Sequence, residues 1–280
     1  MDWKTILVQL SNPRRTDVLL SVAGRIAERS NAHLIGFNMA HALAHMPAMP
    51  ALVGPEDFVA FQAIDDEQAA RLKTSFDEAT RNRAFIPEWR NVEPSGTDLT
   101  ATVIEHARAA DLIVAGQADP DWEMSGLFDQ PERLALESGR PVLVVPYAGS
   151  FGEIGKRVMV AWSGKRETAR AVFDALPLLK SAETVTLLCV VGKDADGESG
   201  QLPGAEIAAS LARHGVNVTV KKSIADEIGV ADEILARLAD DGSDLLVMGA
   251  YGHSRLREMV FGGVTRHILR HMTVPTLMSH

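Results

Sequence analysis

The chain has 280 residues, 46% of them hydrophobic and 23% charged, the composition of a folded globular protein rather than a disordered or fibrous one. A formal net charge of −9, with no lysine/arginine cluster to offset it, argues against a nucleic-acid or anionic-membrane partner. No uninterrupted apolar stretch approaches the roughly 20 residues that span a bilayer, and Met1–Val8 lacks the basic start of a signal peptide. A cytoplasmic location is expected.

The chain opens on an apolar strand, Thr5–Leu10, followed by Ser11-Asn12-Pro13 and a helical period at Val18, Leu19, Val22 and Ile26. After the second strand, residues 42–53 are apolar but hold two prolines, which predicts a loop or broken helix that covers apolar surface. His41 and His45, four apart, share a helical face that two imidazoles can use to clip a metal, although no third ligand stands nearby. The fourth strand, Asp111–Gly116, runs into Gly116-Gln117-Ala118-Asp119, and the half closes on the strand Pro141–Pro146. The acidic residues Asp119, Asp121, Glu123 and Asp129 have no regular ligand spacing and read as a solvated loop before they read as a cation site.

A glycine-rich linker, Ala148–Gly155, then separates two copies of one plan. The second half opens on the strand Arg157–Trp162, with Lys165 and Arg166 in the loop after it. The single cysteine, Cys189, sits in the apolar strand Val185–Val191, so no internal disulfide is possible and an inert buried thiol is expected. A helical period at Ile228, Ala231, Ile234, Leu235 and Leu238 precedes the strand Asp244–Met248, the counterpart of Asp111–Ala115. The last helix, over Thr265–Arg270, carries His267, with His271 just past it and again four apart, and the last strand is Pro275–Met278. Apolar strands alternating with helices predict parallel strands buried on both faces. The fold class is therefore α/β: two doubly wound, Rossmann-like, five-stranded parallel-sheet domains in tandem, over residues 1–148 and 156–280.

Gly249, Gly252, Gly262 and Gly263 stand where a strand ends and a helix begins. Glycine there lets backbone N–H groups close on an anion, which makes the segment a candidate phosphate cradle. The first half has Asp119 at the second of these positions and Asp129-Gln130 at the last two, and carboxylates there would repel a phosphate. No nucleophile elbow, His-Glu-x-x-His pattern, cysteine pair or P-loop lysine is present, so no catalytic role is assigned.

On these residues the chain resembles the universal stress protein family in its tandem form, with an adenine nucleotide alpha hydrolase-like fold. Nucleotide-binding members carry glycine, two residues, glycine, nine residues, glycine, then serine or threonine; Gly249, Gly252 and Gly262 fit, and Gly263 takes the hydroxyl position. The resemblance implies ATP or a related adenine nucleotide, with Mg, held by the second half in a regulatory rather than catalytic role. The site it implies comprises Ala161, Trp162 and Ser163 at the first strand's end, Val190 at the second's, and Met248, Gly249, Tyr251, Gly252, Arg255, Gly262, Gly263, Val264 and Thr265 around the loop. Ser163 replaces the family's aspartate. The resemblance also implies a homodimer, an unidentified protein partner, and a pairing of Val142–Val145 with Thr276–Met278 within one chain. A structural adaptor that binds no nucleotide is the alternative.

Overall fold

The computed structural model describes residues 2–42, 55–192, 203–225, 229–251 and 263–280. Most of the apolar segment 42–53, and His45 with it, lies outside them. The chain divides into two compact units, Asp2–Arg140 and Pro141–His280.

In the first unit the chain runs β1 (Thr5–Gln9), α1 (Thr16–Ser30), β2 (His33–Met39), α2 (Pro55–Thr80), β3 (Pro87–Val92), α3 (Leu99–Ala107) and β4 (Leu112–Gly116). Two short helices follow, α4 (Ser125–Phe128) and α5 (Pro131–Glu137). The strands lie in the order β3-β2-β1-β4, and each pairing is parallel. Ile6, Leu7 and Val8 are wholly buried, as strands covered on both faces require. Helix α1 buries Leu19, Val22, Ala23 and Ile26 and stops at Asn31, whose left-handed φ of 46° lets its N–H bond back to the carbonyls of Ala27 and Glu28.

The second unit repeats the plan: β6 (Arg157–Ala161), α6 (Arg166–Asp174), α7 (Leu176–Leu179), β7 (Thr184–Gly192), α8 (Ala205–Arg213), β8 (Val218–Ala225), α9 (Val230–Asp240), β9 (Leu245–Gly249), α10 (Gly263–His271) and β10 (Thr276–Ser279). Its five parallel strands run β10-β9-β6-β7-β8. The strand that closes the first repeat, β5 (Val142–Val145), packs in this unit. It lies antiparallel to β10, with Thr276 opposite Val144, Leu277 opposite Leu143 and Met278 opposite Val142. The first unit therefore holds four strands where the repeat predicts five. The reason is physical: both β5 and β10 are buried along their whole length, and pairing satisfies amide edges that would otherwise face apolar surroundings.

One aspartate in each unit pins its first strand. Asp111, just before β4, accepts hydrogen bonds from the amides of Lys4 (2.8 Å) and Thr5 (3.0 Å). Asp244, just before β9, accepts from Gly155 (2.7 Å), Lys156 (3.1 Å) and Arg157 (3.1 Å). The two carboxylates do the same work at matching points of the repeat.

At the carboxyl ends of β1 and β4 the first unit ties its own side chains into a hydrogen-bond network. Gln9 donates through Nε2 to Ser11 Oγ (3.1 Å) and to the carbonyl of Phe128 (2.8 Å). Asn12 donates through Nδ2 to Asp119 (3.2 Å), and the Asp121 amide donates to the same carboxylate (3.0 Å). Gln9, Asn12, Gln117 and Asp119 are all buried. Burial, and then the neighbouring Asp119, push the Asp129 carboxyl up to about 8. Of the two carboxylates expected to repel a phosphate, Asp129 is thus pushed toward the neutral acid.

Two outcomes are expected in denaturation experiments. Asp244→Ala should lower the unfolding free energy by about 2–3 kcal/mol and Asp111→Ala by about 1–2 kcal/mol, in proportion to the amides orphaned. For Asp129 the folded chain holds a proton that the unfolded chain releases above its ordinary value of 3.8, so stability is lost as pH rises toward 8. Asp129→Asn should accordingly raise Tm at pH 8.5 by several degrees more than at pH 5.5; an equal effect at both pH values would contradict the burial argument.

Candidate functional site

The second unit carries a crevice at this end. A cavity of about 320 Å³ lies at the carboxyl ends of β6, β7 and β9, where the sheet order passes from β9 to β6. That crossing point is where an open α/β sheet presents a crevice.

The end of β6 supplies Ala161, then Trp162 and Ser163. The second strand of the unit, β7, supplies Leu188 and Val190, and α9 adds Val230 and Ile234, so that one wall is apolar. Opposite them stand Met248 and Gly249 from β9, and Gly263, Val264 and Thr265 from the start of α10. The structure thus brings together Ala161, Trp162, Ser163, Val190, Met248, Gly249, Gly263, Val264 and Thr265 from the expected set. Gly252, Arg255 and Gly262 lie outside the described residues. Tyr251 is described but is not among the lining residues. It is buried with a left-handed φ of 55°, and its N–H donates to Thr265 Oγ1 (3.1 Å).

Gly249 is required for a different reason from the one its sequence position suggests. A Cβ there would fall 2.6 Å from the Thr168 nitrogen and 2.7 Å from the Glu167 carbonyl carbon, backbone atoms that cannot yield. Glycine allows the first turn of α6 to sit against the end of β9. At Gly263 a Cβ would meet none of the described residues within 4 Å, so none of them bars a side chain there.

That first turn brings residues the sequence reading did not place in the site. Glu167 and Thr168 line the cavity with Lys165. Thr168 donates its hydroxyl to the Lys165 carbonyl (2.8 Å). Its oxygen lies 3.1 Å from Ser163 Oγ, so the Ser163 hydroxyl is the donor in that pair. Glu167 is buried, and Arg166 donates to it through Nε (2.6 Å). Burial alone would raise this carboxyl, but the Arg166 guanidinium and the residue's own N–H outweigh it and hold it below the usual carboxylate range. The hydroxyl at Thr168, five residues past Ser163, was the signal available; the burial of Glu167 between two cations in sequence and a helix had none.

Other candidates fall elsewhere. Cys189 is buried, its Sγ donates to the Pro203 carbonyl (3.3 Å), and burial pushes the thiol up. His267 meets Asp232 at 2.8 Å and lies ring to ring with His271 at 4.3 Å, while His41 meets Asp66 at 3.0 Å. Among the described residues no group of three or more histidine, cysteine, aspartate or glutamate side chains is placed to hold a metal ion, and no helix is long and apolar enough to cross a membrane.

Comparison with known proteins converges on one family. The model of the Universal stress protein family matches residues 155–280. Universal stress protein Slr1230 of Synechocystis sp. is 45% identical over 51 residues, 18% of either chain. Universal stress protein MJ0577 of Methanocaldococcus jannaschii is 31% identical over 52 residues, 18% of this chain and 32% of its own. The matched segments span under a third of the length of these curated relatives. Among solved structures, a universal stress protein from Archaeoglobus fulgidus superposes with a TM-score of 0.72 at 16% identity, covering 98% of this chain and 95% of its own. A Pseudomonas aeruginosa PAO1 protein described as functionally unknown gives 0.62 at 16% identity, over 99% and 92%. At that identity the likeness speaks to fold. Residues 155–280 form a universal stress protein domain, and the repetition of the fold along the chain fits the tandem form of that family.

Proposed function

We propose that the second unit binds ATP or a related adenine nucleotide weakly, with Mg where phosphates are present, and that occupancy regulates rather than catalyses. The observation that carries this reading is the cavity: its position at the β6/β9 crossing, its apolar wall of Trp162, Leu188, Val190 and Val230 for a base, and its glycine edge for phosphate. A volume of about 320 Å³ falls at the lower end of the range of small-ligand pockets, roughly 300 to 1,000 Å³. Weakness follows from two departures. Ser163 offers a neutral oxygen in place of a carboxylate, and Gly263 offers only its backbone where family members add a hydroxyl. One hydrogen bond to a charged group contributes about 1.5–3 kcal/mol, roughly one to two decades of affinity.

The expected nucleotide-contacting set remains the one named from the sequence, with Lys165, Glu167 and Thr168 added from the cavity wall. The protein is proposed to act in the cytoplasm as a homodimer with a protein partner that reads its occupancy. A second reading, an adaptor that binds no nucleotide in either half, draws its support from the first unit, where Gln9, Asn12 and Asp119 are engaged in hydrogen bonds within the protein.

Isothermal titration with Mg-ATP tests the choice. Binding in the micromolar to millimolar range is expected for the natural chain. Gly263→Ser, which restores a hydroxyl in open space, should tighten it about tenfold, and Gly263→Asp should abolish it with Tm unchanged. Absence of heat from both the natural chain and Gly263→Ser would establish the adaptor reading instead.

A further inference from the structure

The cavity contains an anion of its own. Glu167 lines it with a side chain only 6% exposed, whereas the Arg166 that pairs with it is 81% exposed and stands in water, where its field is screened. Its own amide, at the start of the nine-residue helix α6, helps hold the carboxyl below the usual range. An amide in a helix's first turn is one of the groups that would otherwise be offered to a bound anion. Lys165 and Glu167 are the charged residues that line the cavity among those described, and their charges offset. The remaining wall is largely apolar, so a further negative charge brought inside meets Glu167 through a poorly screening medium.

We propose that Glu167 sets the charge class of the ligand: the cavity takes adenosine or its monophosphate in preference to a metal-free di- or triphosphate. This rests on the adenine-nucleotide reading and explains why ATP binds only weakly. Glu167 is a specificity-determining residue here. Its position follows from the close seating of α6 on Gly249, where the Glu167 Cβ lies 2.9 Å from the place a Cβ of residue 249 would occupy.

Titration of adenosine, AMP, ADP and ATP into the natural chain and Glu167→Gln, first without divalent cation and then with Mg, tests the proposal. In the natural chain without metal, ATP should bind at least about tenfold more weakly than adenosine, and Mg should narrow the gap. In Glu167→Gln the gap should close, the ratio of ATP to adenosine affinity rising about tenfold over that of the natural chain. An unchanged ratio of ATP to adenosine affinity in Glu167→Gln, with both ligands bound, overturns the role of Glu167 and leaves the nucleotide reading standing. Failure of both proteins to bind any of the four ligands overturns both. Should Glu167→Gln not fold, the natural chain alone decides: raising salt from about 50 to about 500 mM should strengthen ATP relative to adenosine if repulsion governs, and a flat or falling ratio refutes it.

Discussion

The seating of the first turn of α6 against the end of β9 is the constraint on which the second unit's open end depends. Backbone atoms of Glu167 and Thr168 approach so closely that residue 249 has no room for a side chain. This contact carries Lys165, Glu167 and Thr168 to the mouth of the sheet, and through Thr168 it ties down Ser163 at the end of β6. Without it the ends of β6 and β9 would border a wider, solvent-filled gap. Close helix–strand packing is one of the three tasks that glycines perform in dinucleotide-binding loops, beside the tight turn and the approach of a phosphate. Gly249 performs the first of these.

Strand positions were legible because residues buried on both faces must be apolar throughout. β9 runs Leu245–Gly249 where Asp244–Met248 was read, and β6 runs Arg157–Ala161 where Arg157–Trp162 was read. Which sheet a strand joins is a different question. Val142–Val145 reads as the end of the first repeat, and hydropathy says only that it is buried. Its antiparallel partner, β10, came from family resemblance and not from any local pattern. Asp111 and Asp244 were visible as matching residues ahead of matching strands, but their pinning of amides about 90 to 107 residues away is a long-range fact that local periodicity does not carry.

Glu167 shows the same limit at the site itself. Following Lys165 and Arg166 in a loop, it reads as one more solvated charge on an exposed helix start, the ordinary fate of such residues. Its burial arises only when α6 closes on β9, and a buried carboxylate is worth noticing only in that setting. Val230 and Ile234 were hidden for the opposite reason. Apolar residues four apart on a helix are read as core, and nothing in the pattern separates a side chain that fills a core from one that walls a cavity.

The two units hold one fold by the same means and differ where the strands end. The buried strands and the pinning aspartates lie away from the carboxyl ends, so the sheet does not depend on what the loops there contain. Loops at that edge are free to change chemistry while the scaffold persists. In the first unit the change goes further: amide side chains from Gln9 and Asn12 meet Phe128 and Asp119 directly, and a ligand reaching those groups would have to displace their hydrogen bonds. The second unit stops partway. Its Ser163 hydroxyl donates to Thr168 Oγ1 across 3.1 Å, which leaves the Ser163 lone pairs as acceptors. A site in that condition can accept a hydrogen bond from a ligand's hydroxyl or amine without surrendering one of its own, which favours the uncharged end of a nucleotide over its phosphates.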